Sequence, residues 1–195
     1  MKNNNNETAL LLMDMQTAIV GQIAGGAAPV ANATKAIASA RAAGIPVIFV
    51  VVGFRQGAPE MSPNNKGFMA GRQLFEKVDM HEFLQVHPDL KPLPGEPIVV
   101  KRRVSAFTGS DLEVLLRTWN IRHIVLAGIA TSGVVLSTVR EAADKDYRIT
   151  VLADCCADRD EEVHRVLTTK VFPRQADVLG LAEWVEYSTP HPPHE

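Results

Sequence analysis

The sequence predicts an α/β fold, a three-layer, Rossmann-like arrangement of six mostly parallel strands with helices on both faces. Two apolar runs, ALLLMDM and PVIFVVV, are continuous rather than alternating, as in strands covered on both sides. A helix-periodic segment lies between them, and the alternation recurs to the C-terminus. The 195 residues, 46% hydrophobic and 22% charged, suffice for one domain spanning 1–195, and no repeat or low-complexity linker divides them.

Each element has its local reason. Between the first two strands, PVANATKAIASARAAG puts Val30, Ala33, Ile37 and Ala40 on one helical face, and Gly44 ends that helix. From Gly53 to Pro94 the chain is rich in Gly, Pro and Asn, which predicts short helices or functional loops. EPIVVKRR resumes the strand pattern and turns to charge at Lys101. In SAFTGSDLEVLLRTWN, Ser110 with Glu113 reads as a capping box, with Leu112, Leu115 and Leu116 inward. IRHIVLAG is the next strand, followed by a helix from near Ser132; YRITVLADCC is another, followed by a helix in DRDEEVHRVLTTKVF. There Asp158, Asp160, Glu161 and Glu162 suit helix capping better than metal binding. ADVLGLAEWVEY reads as a last strand or helix, and Trp119 and Trp184 as packing residues. The ends, 1–7 and 189–195, are expected to be loose, including the proline-flanked His191 and His194.

Composition narrows the function. A formal net charge of -2 argues against a nucleic-acid surface, and no apolar run reaches the length of a membrane span. MKNNNNETALLLMDMQ lacks the pattern of a secretory signal, so a cytoplasmic protein is expected. Cys155 and Cys156 are adjacent and read as buried thiols, with a vicinal disulfide or redox role as the alternative.

In doubly wound sheets ligands gather beyond the carboxyl ends of the strands. Asp14, Lys101 and Gly128–Ser132 all fall at such ends. A carboxylate and an ammonium from different strands can share a pocket and tune each other's protonation, the one moving a proton and the other stabilising an anion. The structural alternatives are a turn-holding role for Asp14 and, for Lys101, a solvated basic run with Arg102 and Arg103. Neither G-x-G-x-x-G nor a Walker pattern follows the first strand, so no nucleotide cofactor is expected.

Four segments together, LLLMDMQ, IVVKRRVSAFTGSDLEVLLR, VLAGIATSGVVLSTVREAADKDY and ITVLADCCAD, resemble the isochorismatase-like hydrolases, also called cysteine hydrolases. The resemblance implies a six-stranded sheet and an Asp, Lys, Cys triad acting on amide, carbamoyl or related C–N bonds. The aspartate falls on Asp14, the lysine on Lys101 and the nucleophilic cysteine, six residues after Gly128, on Val134. A cis peptide maps to Ile129–Ala130, in a turn with Thr131 and Gly133 whose backbone N–H groups would form an oxyanion site. Valine cannot attack a carbonyl, so a non-thiol route is expected, with Asp14 as proton carrier and water as attacking species.

True isochorismatases resemble this chain in lacking the cysteine, but they usually have glycine there, where Val134 would crowd the site. The alternatives are a catalytically silent small-molecule binder and a hydroxyl nucleophile at Thr131, Ser132 or Ser137, none with an evident histidine partner. Nicotinamidase-like relatives hold zinc after strand two, whereas VVGFRQGAPE has no histidine and His81 and His87 lie further on; no metal is expected. Selection of a small-molecule substrate is assigned to the loop of Arg55, Asn64, Asn65, Lys66 and Phe68, with Phe107 as a second apolar wall and Ser132 at the rim. The resemblance also implies a homodimer or homotetramer.

Overall fold

The computed structural model describes residues 5–188. Of the tails expected to be loose, 1–7 and 189–195, residues 1–4 and 189–195, with His191 and His194, lie outside the described residues, whereas Asn5–Glu7 form a 3-10 turn. Strands β1 (Thr8–Met13), β2 (Val47–Val52), β3 (Ile98–Lys101), β4 (His123–Ile129), β5 (Arg148–Ala157) and β6 (Asp177–Leu179) form one sheet in the order β3-β2-β1-β4-β5-β6. Every pairing is parallel, as the uninterrupted apolar runs require.

The helices between them are α1 (Thr17–Val20), α2 (Ala27–Ala42), α3 (Lys66–Ala70), α4 (Arg72–Lys77), α5 (Met80–Phe83), α6 (Leu112–Thr118), α7 (Leu136–Asp144), α8 (Glu161–Val166) and α9 (Leu181–Ser188). Alternate residues of β1 point to opposite layers. Ala9, Leu11 and Met13 join a core that includes Leu112 and Leu116 of α6 and Val139 of α7. Leu10 and Leu12 join a second core with Val30, Ala33, Ile37 and Ala40 of α2 and Trp184 of α9. The predicted inner face of the first helix is thus the observed one. Trp184 is fully buried, and its indole N–H donates to Ala36 O at 3.2 Å. Gly44, at φ +69°, supplies the left-handed residue after α2.

Two local expectations need correction. Ser110 supplies only half of a capping box: α6 is directly preceded by Asp111, and Ser110 Oγ accepts from Leu112 N–H at 3.3 Å while donating to Ala106 O at 2.6 Å. Glu113 instead accepts from Lys145 Nζ at 2.6 Å, because a long-range cation offers a stronger partner than a backbone N–H. Cys155 and Cys156 lie within β5, both free and buried, as the strand reading of YRITVLADCC has them. The helix expected from Ser132 starts as a wide π-type turn, Thr131–Val135, that leads into α7. The final segment is both of the forms considered, β6 and then α9.

Candidate active site

Strand order reverses direction of winding between β1 and β4, and the crevice of a doubly wound sheet opens there. Met13 pairs with Gly128, so Asp14 leaves β1 beside Ile129, the last residue of β4. A Cβ on residue 128 would lie 2.6 Å from Met13 O; glycine lets the two strand ends approach this closely. Asp14 turns the chain at φ 54°, its N–H still bound to Val50 O at 2.8 Å. Aspartate tolerates this conformation better than most residues, so the turn-holding reading of Asp14 and the chemical one coexist.

Lys101 ends β3, two strands away, and reaches over the end of β2. Its Nζ lies 2.9 Å from Asp14 Oδ2 and donates to Arg103 O at 2.9 Å. Lys101 is 1% exposed and Asp14 7%, which rules out the solvated basic run for this lysine. Arg102 and Arg103 are half-buried and donate to the backbone oxygens of Gly53 and Arg102. Asp14 Oδ1 is buried and has no hydrogen-bond partner among the described residues. Burial pushes the Asp14 carboxyl up to about 6, and the Lys101 ammonium only partly opposes that rise. The carboxylate can therefore change protonation near neutral pH.

Next to the pair, the Ile129–Ala130 peptide is cis. Val134 is 2% exposed, in the same apolar core as Met13, Phe107 and Leu126. The turn is held from the far side. Ser132 N–H donates to Asp158 Oδ2 at 2.7 Å, and Gly133 N–H to Ala130 O at 3.1 Å. Thr131 does have a histidine partner, contrary to expectation: its Oγ1 lies 2.8 Å from His164 Nδ1. Thr131 is fully buried, however, and Ser132 is the exposed hydroxyl of the turn.

The residues assigned to substrate selection are dispersed. Arg55 is exposed and paired with Glu60 at 2.5 Å, at the mouth of a cavity of about 280 Å³ shared with Phe75, Met80 and His81. Asn65 caps α3 by accepting from Phe68 N–H at 3.2 Å, and Phe68 packs edge-on against Phe54 with centroids 5.3 Å apart. Phe107 is a core residue stacked on Tyr147. Among the acidic residues, Asp160 caps α8 through Glu162 N–H and Val163 N–H. His81 lies in α5 and His87 caps the 3-10 turn Pro88–Leu90.

Sequence reading gave no role to Gln16, although it follows Asp14 closely. It is fully buried, accepts from Val52 N–H at 2.8 Å and donates to Val52 O and Phe83 O, tying the exit of β1 to β2 and α5. The clue was a polar side chain placed directly beyond an apolar strand, in the segment MDMQ.

The model of the isochorismatase domain matches residues 8–183. The chain is 37% identical over 171 residues to the ureidoacrylate amidohydrolase RutB of Pseudomonas savastanoi pv. phaseolicola, covering 76% of this chain and 69% of that one. It is 34% identical over 185 residues to the isochorismatase family protein YwoC of Bacillus subtilis, covering 92% and 93%. Among solved structures, an isochorismatase family protein from Burkholderia thailandensis superposes with a TM-score of 0.83 at 28% identity, over 95% of this chain and 97% of that one.

Proposed function

This chain belongs to the isochorismatase family, and on that premise we propose that it hydrolyses a small molecule by acid–base chemistry at Asp14, with water as the attacking species. The observation that carries this reading is the asymmetry of the carboxylate. Oδ2 is held by Lys101 at 2.9 Å, while Oδ1 is buried without a partner. In the proposed reaction Oδ1 takes a proton from water as the water oxygen bonds to a carbonyl carbon. The C–N bond then breaks, and Asp14 returns that proton to the leaving nitrogen. Lys101 keeps Asp14 ionised before attack and offsets the negative charge that develops on the carbonyl oxygen. Val134 supplies no atom for a covalent intermediate. The likeness to an amidohydrolase supports an amide or ureido substrate. The family resemblance likewise supports a homodimer or homotetramer, and the two free thiols suit the cytoplasm.

The test is a screen of small amides and ureido acids for release of amine or ammonia, with the Asp14→Asn variant alongside. Turnover in the wild type should fall by about a hundredfold or more in the variant. Full activity in the variant would remove Asp14 from the reaction.

A second reading, a catalytically silent member that binds a small molecule, is favoured by the burial of Val134. Melting shifts with the same compounds and no turnover with any would support it.

A further inference from the structure

Two residues beyond Asp14, the fully buried carboxamide of Gln16 spends all its hydrogen-bonding capacity on main chain. It takes both the N–H and the C=O of Val52 and also reaches Phe83 O.

The pairing of β1 with β2 explains why a side chain is needed there. Rungs of a parallel ladder are evenly spaced and recur every two residues. Leu10 N–H donates to Pro46 O at 2.9 Å, and Asp14 N–H to Val50 O at 2.8 Å. Continued in register, the ladder would join Gln16 N–H to Val52 O and Val52 N–H to Asp14 O, with Asp14 extended in the strand. Asp14 instead turns at φ 54° and β1 stops at Met13, while β2 runs on to Val52. Val52 is buried, so its N–H and C=O on that side need partners. The Gln16 amide, itself the shape of a peptide group, fills both places.

Val52 is also the register partner of Lys101, and Gly53 N–H donates to Lys101 O at 3.2 Å. The chain end that carries Asp14 and the one that carries Lys101 are thus measured from the same residue. Further bonds at the β1 exit, His87 N–H to Met15 O at 2.9 Å and Thr17 N–H to Gln85 O at 3.1 Å, fasten it to the segment after α5, whereas Gln16 fixes it to the sheet.

We propose that Gln16 is a positioning residue for Asp14: its carboxamide replaces main chain on Val52, which lets the aspartate leave the sheet and holds its carboxylate 2.9 Å from Lys101 Nζ. With the amide gone, Val52 regains its partners if β1 lengthens through Asp14, and that draws the carboxylate from its seat. The consequence for turnover rests on the acid–base reading of the site; the placement of the carboxylate does not.

The experiment is an NMR titration of the full chain with carbon-13-labelled aspartate, between about pH 3 and 8, in which the Asp14 carboxyl is the signal missing from Asp14→Asn. Gln16→Met keeps the length of the side chain and loses its three bonds. Trp184→Phe, which removes one buried hydrogen bond between α9 and α2, is the control. The Asp14 midpoint should be displaced by about half a unit or more in Gln16→Met and unchanged in Trp184→Phe. An unmoved midpoint in folded Gln16→Met overturns the proposal, and so does an equal displacement in the control. Should Gln16→Met not fold, deuterium exchange in the wild type decides. The Gln16 carboxamide hydrogens should then exchange about a hundredfold or more slowly than an exposed carboxamide, and exchange at the exposed rate overturns the proposal. A wild type inert toward every amide and ureido acid would sink the acid–base reading and leave the placement of Asp14 to be decided by its titration.

Discussion

Asp14 is placed where two opposing influences meet, and the larger one decides its behaviour. Removal from water raises its pKa and Lys101 lowers it, leaving it at about 6. A base must be ionised to accept a proton from water, so kcat/KM should rise as pH passes upward through about 6 and then level off. A rate that falls across that range would oppose the assigned role. Replacing Lys101 by Met strands a buried carboxylate without its partner. That variant should lose about 3 kcal/mol in urea denaturation at neutral pH, and its rising limb should move to higher pH. Val134→Cys changes shape little, so stability should stay within about 1.5 kcal/mol. Amidase activity gained by that variant would show that Asp14 and Lys101 can serve a thiol. That Asp14 and Lys101 could meet was legible in the sequence because both follow apolar strands of one sheet, although a turn-holding aspartate and a solvated lysine were open alternatives. The Thr131–His164 contact was not, since its partners are 33 residues apart and belong to different elements.

Element by element, the restraints on the site are backbone restraints. Gly128 allows β4 to pass Met13 O, and Gly128→Ala should cost about 2 kcal/mol or more by chemical denaturation, because the new methyl group meets main chain that cannot rotate away. Asp158 and Asp160 divide the acidic cluster between two tasks. Asp158 holds Ser132 N–H, while Asp160 accepts from two N–H groups at the start of α8. Asp160→Ala should therefore cost about 1 kcal/mol, read as a lower melting temperature. The inner face of α2 was readable from four apolar residues at helical spacing. The start of α6 was only half readable: Ser110 accepts from Leu112 N–H, but Lys145, 32 residues away, draws Glu113 out of the S-x-x-E pattern. The region of α3 to α5 was equally opaque. Its short helices are organised by edge-on contacts among Phe54, Phe68, Phe75 and Phe83, which no period in the sequence announces.

Across the whole molecule, the parallel sheet carries a strongly shifted group at each end, Asp14 and His123, and their linkage to folding has opposite signs. At the carboxyl ends of the strands, Asp14 titrates at about 6 when folded, against an ordinary value of 3.8. Between these values the folded state holds a proton that the unfolded state has released, so stability falls as pH rises from about 4 to 6. At the amino ends, His123 is held between Thr8 Oγ1 at 3.2 Å and Thr150 Oγ1 at 2.9 Å, and burial, with Arg148 nearby, lowers it from 6.5 to about 4. Here the unfolded state holds the extra proton, so stability is lost as pH falls from about 6.5 to 4. Over the shared window the two slopes oppose each other, and the pair contributes a nearly flat profile. Asp14→Asn keeps an oxygen that can accept from Lys101 but removes one of the two titrations. The variant should then lose stability on acidification by about 1.4 kcal/mol per pH unit more steeply than the wild type, within that window. Urea denaturation of both proteins at intervals from pH 4 to 6.5 measures the difference directly, with contributions from the other carboxylates common to both. Parallel profiles would mean that the Asp14 carboxyl titrates alike in the folded and unfolded chains, and the rising limb of the rate near pH 6 would lose its assignment to this residue.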